Sequence, residues 1–171
     1  SYLIKHKHWS PLEMVSMCLE IETTRDIARQ ILRHRSFSFQ EFSQRYAVAD
    51  LGFEYKEARL QDVKNRQNSI KNDDEQLNEV WLKFQKDVIL EATKTYQWAI
   101  NNGIAKEQAR AVLPEGVTVS RLYMNGTLRS WVHYIQLRSA NGTQKEHQDI
   151  ALACAEAIQP IFPMIKEFIT Q

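Results

Sequence analysis

A long stretch of helical periodicity in the middle of the chain constrains the fold more than any other feature. From Asp74 onward, apolar residues recur every three or four positions until the run Asn101-Asn102-Gly103 stops the pattern. The residues that carry the period are Leu77, Val80, Trp81, Phe84, Val88, Ala92, Tyr96 and Ala99. This pattern predicts one long amphipathic helix, and therefore a fold in which helices dominate.

Two other segments have the pattern of β-strands. Residues 14–22 alternate between apolar and polar side chains, which is typical of a strand with one buried face. The apolar face consists of Val15, Met17, Leu19 and Ile21, and the other face of Ser16, Cys18, Glu20 and Glu22. Residues 117–124 are β-branched and aromatic enough to form a second strand. The sequence thus predicts an α+β fold, a helix-dominated single domain over residues 1–171 with a small antiparallel or mixed sheet.

Capping residues predict where further helices begin. Thr23 followed by Asp26 resembles a capping box and precedes apolar residues at helical spacing, so we expect a helix of about three turns that ends near Arg35. The other predicted segments are a helix capped by Thr127 with Leu128, Trp131, Val132 and Ile135 on its apolar face, a helix from about Lys106 to before Pro114, a helix over 144–157, and a mobile loop over 47–73.

Charge and cysteine content argue against several classes of protein. The chain has 22 Lys and Arg against 21 Asp and Glu, a net charge of +1, whereas a duplex-DNA-binding protein is normally clearly basic. No apolar run is long enough to cross a bilayer and no signal peptide begins the sequence, so we predict a cytoplasmic protein without a membrane partner. Cys18 and Cys154 are too far apart for a metal-knuckle spacing, and both are predicted to be small buried hydrophobes.

Residues 25–46 contain the densest group of polar side chains. The segment contains only two acidic residues but five arginines, which are Arg25, Arg29, Arg33, Arg35 and Arg45. In the predicted helix, Gln30, Arg33 and His34 leave from one face. Arginine presents a rigid donor fork that matches phosphate, and nearby serines add hydroxyl donors. The segment therefore suggests a cradle for a phosphorylated ligand, with a solvated basic helix face as the alternative.

Two smaller polar groups lie elsewhere in the sequence. Arg129 and His133 are i, i+4 neighbours in one predicted helix, and Arg138 ends that helix, where an arginine also complements the helix dipole. His8 and Glu13 form the other group. No histidine pair has zinc-ligand spacing with further ligands, and no glycine-rich loop follows a strand. We therefore predict no catalytic metal and no Rossmann or Walker-type nucleotide site.

Taken together, these groups resemble the flavin-dependent thymidylate synthases. Arg33-His34-Arg35, followed by seven residues and then Ser43, reproduces the RHR(x)7S signature of that family. The other matching elements, in order, are His8-Trp9-Ser10-Pro11-Leu12-Glu13, Gln30, Ala109-Arg110-Ala111-Val112-Leu113-Pro114, and Gly126 to Ser130 with Leu137-Arg138, Gln144 and Glu146. The resemblance spans residues 2 to about 158. Members of the family normally have a few dozen residues before the His8 element, so the chain is expected to be N-terminally truncated relative to them.

The resemblance implies a fold of the flavin-dependent thymidylate synthase type and a reaction. In this reaction dUMP becomes dTMP, methylenetetrahydrofolate supplies the carbon, and FAD that has been reduced by NADPH supplies the hydride. The family does not use a cysteine nucleophile on the uracil, which agrees with two cysteines that have no activating neighbours in sequence. It also assembles its sites from more than one subunit, so the resemblance implies a homotetramer.

Carried over position by position, the resemblance assigns the binding residues. The expected FAD contacts are His8, Ser10, Glu13, Arg33, His34, Arg35, Ser36, Gln40, Glu41, Thr127, Arg129, His133 and Leu137. The expected dUMP contacts are Gln30, Glu41, Ser43, Arg45, Arg110 and Arg138. Arg138 and Ser43 are the expected catalytic residues. Ser43 is interpreted as a phosphate binder rather than a nucleophile, because no adjacent general base is suggested.

Two alternatives from other classes remain open at the level of sequence. One is a truncated, catalytically silent relative that keeps flavin and nucleotide binding. The other is a module for single-stranded nucleic acid, in which aromatic residues stack on bases and arginines hold phosphates. The aromatic residues in question are Phe37, Phe39, Phe42 and Tyr46. The near-neutral charge and the ordered motifs weigh against nucleic acid as a partner.

Overall fold

The computed structural model of the chain describes residues 2–43 and 52–170, in which helices flank a small sheet. The helices are α1 (Tyr2–Lys5), α2 (Arg25–Ile31), α3 (Glu75–Asn101), α4 (Lys106–Ala109), α5 (Leu128–Arg138) and α6 (Lys145–Ile158). The strands are β1 (Ser16–Thr24), β2 (Ser38–Glu41), β3 (Leu60–Gln61), β4 (Ser69–Ile70) and β5 (Val119–Thr127). Short 3-10 helices cover Ser10–Met14, Arg110–Val112 and Pro163–Phe168. The predicted helix-dominated α+β class is confirmed.

The main sheet is antiparallel and has the strand order β1-β5-β2. Met124 of β5 pairs with Leu19 of β1 on one side and with Phe39 of β2 on the other. Met124 is fully buried, whereas Leu19 and Phe39 are half-buried. One sheet face therefore packs on the helices, and the other presents polar side chains, as the predicted alternation of β1 requires.

Helix α5 lies at the centre of the hydrophobic core. Its residues Trp131, Tyr134 and Ile135 are fully buried, and they share one core cluster with Ile31 of α2 and Ile158 of α6. Every residue of its predicted apolar face is buried. The predicted cap is confirmed as well, because the Thr127 hydroxyl accepts a hydrogen bond from the Ser130 amide at 3.2 Å.

Helix α2 is shorter than predicted and ends at Ile31 rather than near Arg35. Beyond it the backbone amides of Arg33 and His34 bond three residues back, to Gln30 and Ile31, so the helix tightens into turns. Arg33, His34 and Arg35 consequently lie in a turn and not on one face of a helix with Gln30. This turn brings the buried ring of Phe37 to 4.9 Å from the Trp131 ring.

The start of α2 and the predicted loop also differ from expectation. Thr24, not Thr23, precedes the helix, and its hydroxyl donates to the Asp26 carboxylate instead of capping a backbone amide. Of the loop predicted over 47–73, residues 47–51 lie outside the described residues. Within 52–73, β3 and β4 pair as a hairpin, and the Asp62 carboxylate accepts bonds from the Lys64 and Asn65 amides in its turn. Such a hairpin carries no apolar period that a sequence pattern could reveal.

The two cysteines differ from each other. Cys154 is buried in the core, as predicted, and burial raises the pKa of its thiol to about 12. Cys18 is exposed, so the prediction that both are buried was wrong for this residue. The reason is that Cys18 lies with Glu20 and Glu22 on the outer, polar face of β1.

Gly126 of β5 lies against the Phe37 ring and leaves no room for a side chain. A Cβ at this position would lie 2.4 Å from Cδ1 and 2.6 Å from Cε1 of Phe37. We expect Gly126→Ala to lower the free energy of unfolding by about 1–3 kcal/mol, because the buried ring must shift. Urea denaturation measures this change. Gly116→Ala is the control, since nothing lies within 4 Å of its added Cβ, and equal stability of the two variants would contradict the expected clash.

Candidate functional site

A cavity of about 480 Å³ opens beside the first turns of α5. Its lining residues are Trp9, Glu13, Ser36, Thr127, Arg129, Ser130, Val132, His133 and Gln136. Arg129 and His133 project into it from one face of α5, as their spacing predicts. The Arg129 guanidinium forms an ion pair with the Glu13 carboxylate. This pair joins the His8 element to the closing block, the last matching element of the sequence, which runs from Gly126 to Ser130 and includes Leu137-Arg138, Gln144 and Glu146.

The walls of this cavity combine cations, hydroxyl groups and an aromatic ring. Arg129 provides charge, Ser36, Thr127 and Ser130 provide hydroxyls, and Trp9 provides an apolar surface. Arg33 and Arg35 do not line the cavity but precede Ser36, which does, and among the described residues their exposed guanidinium groups make no hydrogen bond or ion pair. A site of this composition can hold a large ligand that has anionic groups and a planar ring system.

A second group forms where the end of α5 meets the turn after α2. The Arg138 Nε–H donates to His34 Nε2 at 2.9 Å, and the His34 ring meets the Tyr134 ring edge-on at 4.9 Å. Burial, together with the positive charge of Arg138, lowers the pKa of His34 to about 4. His34 is therefore neutral near pH 7 and accepts the bond, and the terminal N–H donors of Arg138 remain available to a ligand.

Gln30 lies in a chain of hydrogen bonds that connects α2, α5 and α6. Its Nε2 donates to Gln144 Oε1 at 2.7 Å, and its Oε1 lies 3.2 Å from Nδ1 of His147. His147 is fully buried, and its Nε2 lies 3.1 Å from the hydroxyl of Tyr134. Burial is the main reason that the pKa of His147 is lowered to about 3. The His34 ring lies 6.2 Å from that of His147, so Gln30, His34, Arg138 and His147 form one group.

Glu41 and Gln40 of β2 lie on opposite faces of the sheet. Glu41 accepts a hydrogen bond from Ser120 at 2.8 Å and lies 3.7 Å from Arg25. Gln40 is exposed and pairs with Tyr123 of β5 on the open face. One compact pocket within a single chain therefore does not hold both side chains.

Several predicted residues lie apart from these groups. Arg110 donates to the carbonyl of Glu107, and its neighbour Ala109 belongs to a second core with Tyr96, Ala99 and Leu113. Among the described residues no hydrogen bond or ion pair joins Arg110 to Gln30. His8 is exposed near the rings of Tyr2 and His6. Ser10 begins a 3-10 helix, Leu137 is exposed on α5, and Ser43 is half-buried after β2. Arg45 and Tyr46 lie outside the described residues.

The sequence interpretation missed several residues that line these sites. Trp9, Ser130 and Gln136 line the cavity, and Tyr134 and His147 complete the hydrogen-bonded chain. One signal was present for His147, because it begins the buried stripe of α6 that continues through Ala151, Cys154, Ala155 and Ile158. A histidine in such a stripe needs hydrogen-bond partners in the core.

A second cavity, of about 400 Å³, lies near Gln144 and Glu146. Its apolar wall consists of Trp81, Phe84 and Val88 from α3. The same side chains are 41%, 57% and 56% exposed, so this wall is open to solvent. The long helix thus reaches the neighbourhood of Gln30, to which Gln144 is bonded.

Residues 2–43 and 52–170 contain neither a membrane-spanning helix nor a metal-binding cluster. No helix in these ranges combines the length and apolar character needed to cross a bilayer. Within the same residues, no cluster of three or more His, Cys, Asp or Glu side chains has an arrangement that could hold a metal ion.

The fold is α+β, and its sites are suited to anionic ligands that contain a planar ring. Comparison with known proteins identifies the family. The family model for thymidylate synthase complementing protein matches residues 1–164. The chain therefore belongs to the thymidylate synthase complementing protein family.

Individual relatives are similar over nearly the whole chain. A flavin-dependent thymidylate synthase of Synechocystis sp. is 52% identical over 164 residues, which are 96% of this chain and 75% of the relative. A probable flavin-dependent thymidylate synthase of Paramecium bursaria Chlorella virus 1 is 49% identical over 96% of this chain and 76% of the relative. A crystal structure of the UMP/dUMP methylase PolB from Streptomyces cacaoi, bound with 5-Br UMP, has a TM-score of 0.84 at 27% identity, and the match covers 98% of this chain and 79% of that chain.

Proposed function

We propose that this chain is a flavin-dependent thymidylate synthase that converts dUMP to dTMP. In this proposal FAD is the cofactor, NADPH its reductant and methylenetetrahydrofolate the carbon donor. The observation that carries the proposal is the bond from Arg138 to neutral His34, which joins the RHR signature to the closing block in one charged, half-buried group. The close relatives and the methylase neighbour support the same reaction.

The cavity beside α5 fits part of a flavin dinucleotide. Arg129 and His133, with the hydroxyls of Ser36 and Thr127, offer donors to anionic and polar groups. Arg33 and Arg35, in the turn that leads to Ser36, would add charge to the same ligand. The ion pair with Glu13 holds the Arg129 guanidinium in place. When bound, FAD supplies the hydride that reduces the transferred carbon to a methyl group.

The Arg138 group fits the uracil of dUMP. Methyl transfer requires C5 of uracil to become electron-rich, and a fixed positive charge beside the N3–C4–O4 side stabilises the negative charge that develops there. Arg138 donates to His34 through Nε, so its terminal N–H groups are left to bind the uracil. Gln30 offers the uracil a further amide group from α2.

The phosphate end of dUMP is assigned to Ser43, Arg45 and Arg110. Within the described residues Arg110 donates to Glu107 and makes no hydrogen bond or ion pair with Gln30, so we assign it to the phosphate of a dUMP that lies between copies of the chain. Glu41 and Gln40 point to opposite sheet faces, which also fits ligands that lie between copies. We therefore propose a homotetramer with shared sites.

The exposed stripe of α3 supports this assembly. Leu77, Val80, Trp81, Phe84 and Val88 lie along one face of the helix, and each is more than 40% exposed. A continuous apolar face of this length on a monomer commonly marks an interaction site. A second copy seated on it would also close the cavity near Gln144, since Trp81, Phe84 and Val88 form the wall of that cavity.

Phe84→Glu tests the proposed assembly. A buried, unpaired carboxylate in the interface costs far more than a surface charge, so we expect the variant to elute as a smaller species by light scattering and to lose flavin. Thr93→Glu is the control, because it adds the same charge nine residues further on, half a turn away around α3. A wild-type protein that is a stable monomer with stoichiometric FAD would contradict the tetramer.

The activity itself is tested with purified protein. We expect a yellow protein that releases FAD on denaturation and forms dTMP from dUMP, methylenetetrahydrofolate and NADPH. A yellow protein that binds dUMP without turnover would instead identify a catalytically silent relative. A colourless protein with salt-dependent affinity for oligonucleotides would identify a nucleic-acid-binding module and overturn the proposal.

A further inference from the structure

The hydrogen-bonded chain through Gln30 has a definite direction, which the Glu146 carboxylate sets. A carboxylate accepts hydrogen bonds, so the Gln144 Nε2 that lies 2.9 Å from Glu146 donates to it. The oxygen of Gln144 therefore faces Gln30 and accepts from Gln30 Nε2. This leaves the Gln30 oxygen facing His147.

The same logic fixes the tautomer of His147. Because Gln30 Oε1 can only accept, the proton of the imidazole lies on Nδ1, which donates to that oxygen. Nε2 then carries the lone pair and accepts from the hydroxyl of Tyr134. Both ring nitrogens are satisfied, which is the condition for burying a histidine completely.

Gln30 is thus held at both ends of its carboxamide. One amide N–H and one oxygen lone pair remain for a ligand, in a fixed orientation. Without the bond from His147, the carboxamide keeps only its exposed bond to Gln144, and the oxygen end is no longer held in place. An apolar side chain could fill the position of His147, but it could not donate to the Gln30 oxygen and hold that end of the carboxamide.

We infer that His147 is a positioning residue that fixes the carboxamide of Gln30 for recognition of the uracil nucleotide, with Tyr134 holding the imidazole from the other side. This inference rests on the proposed function, in which Gln30 contacts dUMP. His147 acts through Gln30, and its ring is buried between Tyr134 and Gln30 in the core.

Two substitutions that each keep one of the two nitrogens provide the test. In His147→Asn the amide nitrogen stands near the place of Nδ1 and can still donate to Gln30, whereas in His147→Gln it stands near the place of Nε2 and can still reach Tyr134. We expect the Kd of FAD-loaded protein for dUMP, measured by calorimetry, to rise about tenfold in His147→Gln and to stay within about threefold of wild type in His147→Asn. Each variant loses one buried hydrogen bond, so a purely structural role predicts the same change in both.

A third variant keeps the test decisive if His147→Gln does not fold. The double variant Tyr134→Phe with His147→Leu replaces the imidazole and its hydroxyl partner by apolar groups, which preserves stability better than leaving one of them unpaired. It leaves the Gln30 oxygen without its donor, so we again expect a Kd for dUMP about tenfold above wild type. Ile158→Val, on the same helix and away from Gln30, controls for loss of core packing and should leave the Kd unchanged.

The outcomes separate the inference from the proposed function. If the wild-type protein binds dUMP and the Gln and double variants bind it as tightly, His147 does not position Gln30. If the wild-type protein binds no dUMP at all, the proposed function itself is wrong and the inference fails with it.

Discussion

Replacing Arg138 by Lys is expected to lower the rate of dTMP formation by about 10²–10³-fold while the protein stays yellow and reducible by NADPH. Lys keeps the positive charge at the end of α5, so the favourable interaction with the helix dipole is retained. It loses the planar fork, and with it the means to bond His34 through Nε and the uracil through parallel N–H donors. The rate is measured with saturating dUMP, and flavin content by absorbance.

Arg59→Lys is the matched control for this substitution. Arg59 also donates from its Nε to a neighbouring side chain, Ser69, but it lies in the β3–β4 hairpin, outside the assigned sites. We expect Arg59→Lys to leave the rate unchanged. If dTMP formation survives Arg138→Lys at a rate near that of wild type, Arg138 is a structural residue and the assignment of the uracil pocket is wrong.

Arg33→Ala is expected to weaken FAD binding by about 10- to 100-fold without unfolding the protein. The side chain is exposed in the turn after α2, so its removal takes no volume from the core. The expected loss corresponds to one charge-assisted hydrogen bond, about 1.5–3 kcal/mol. Flavin retention through gel filtration and the Kd for added FAD measure the effect.

Lys64→Ala controls for the loss of one exposed positive charge, because Lys64 lies in the turn of the β3–β4 hairpin. It should retain flavin as the wild type does. A variant at Arg33 that purifies equally yellow would contradict the assignment of Arg33 to FAD, and one that does not fold would identify Arg33 as a structural residue.

The elements that the sequence predicted well are those determined by local interactions. Helix α5 is the clearest case, because a threonine cap, a continuous apolar stripe and two polar residues one turn apart all fall within one short segment. The long helix α3 is similar, since Asp74 caps it and a glycine with positive φ follows its end. In both helices every signal lies within a few residues of the structure that it determines.

The end of α2 could not be predicted because a distant contact determines it. Residues after Ile31 have ordinary helical propensity, yet the chain turns so that Phe37 reaches the core beside Trp131. Tertiary packing overrides local preference here. The predicted helix therefore included Arg33 and Arg35, which in the structure lie beyond its end. Their assignment to an anionic ligand does not depend on that helix.

The motifs identified the candidate site residues but not how they connect. Gln30 and His34 were both identified in sequence as candidate site residues. Their hydrogen-bond partners, His147 for Gln30 and Arg138 for His34, lie more than 100 residues away along the chain. The sequence assigned no role to Tyr134. Its hydroxyl meets His147 only when α5 and α6 pack together, and no local pattern indicates that contact. Pairings of this kind depend on the folded core and leave no periodic signal.

The strand order has a consequence for the synthesis of the protein. Strands β1 and β2 both pair with β5, which lies between them, and within the described residues they do not pair with each other. On the ribosome, β1 and β2 therefore emerge long before residues 119–127 exist to join them. Until then both strands have unpaired edges, on which nascent chains can associate wrongly. The sheet can close only after β5 has left the exit tunnel, so folding of this core is a late event in translation.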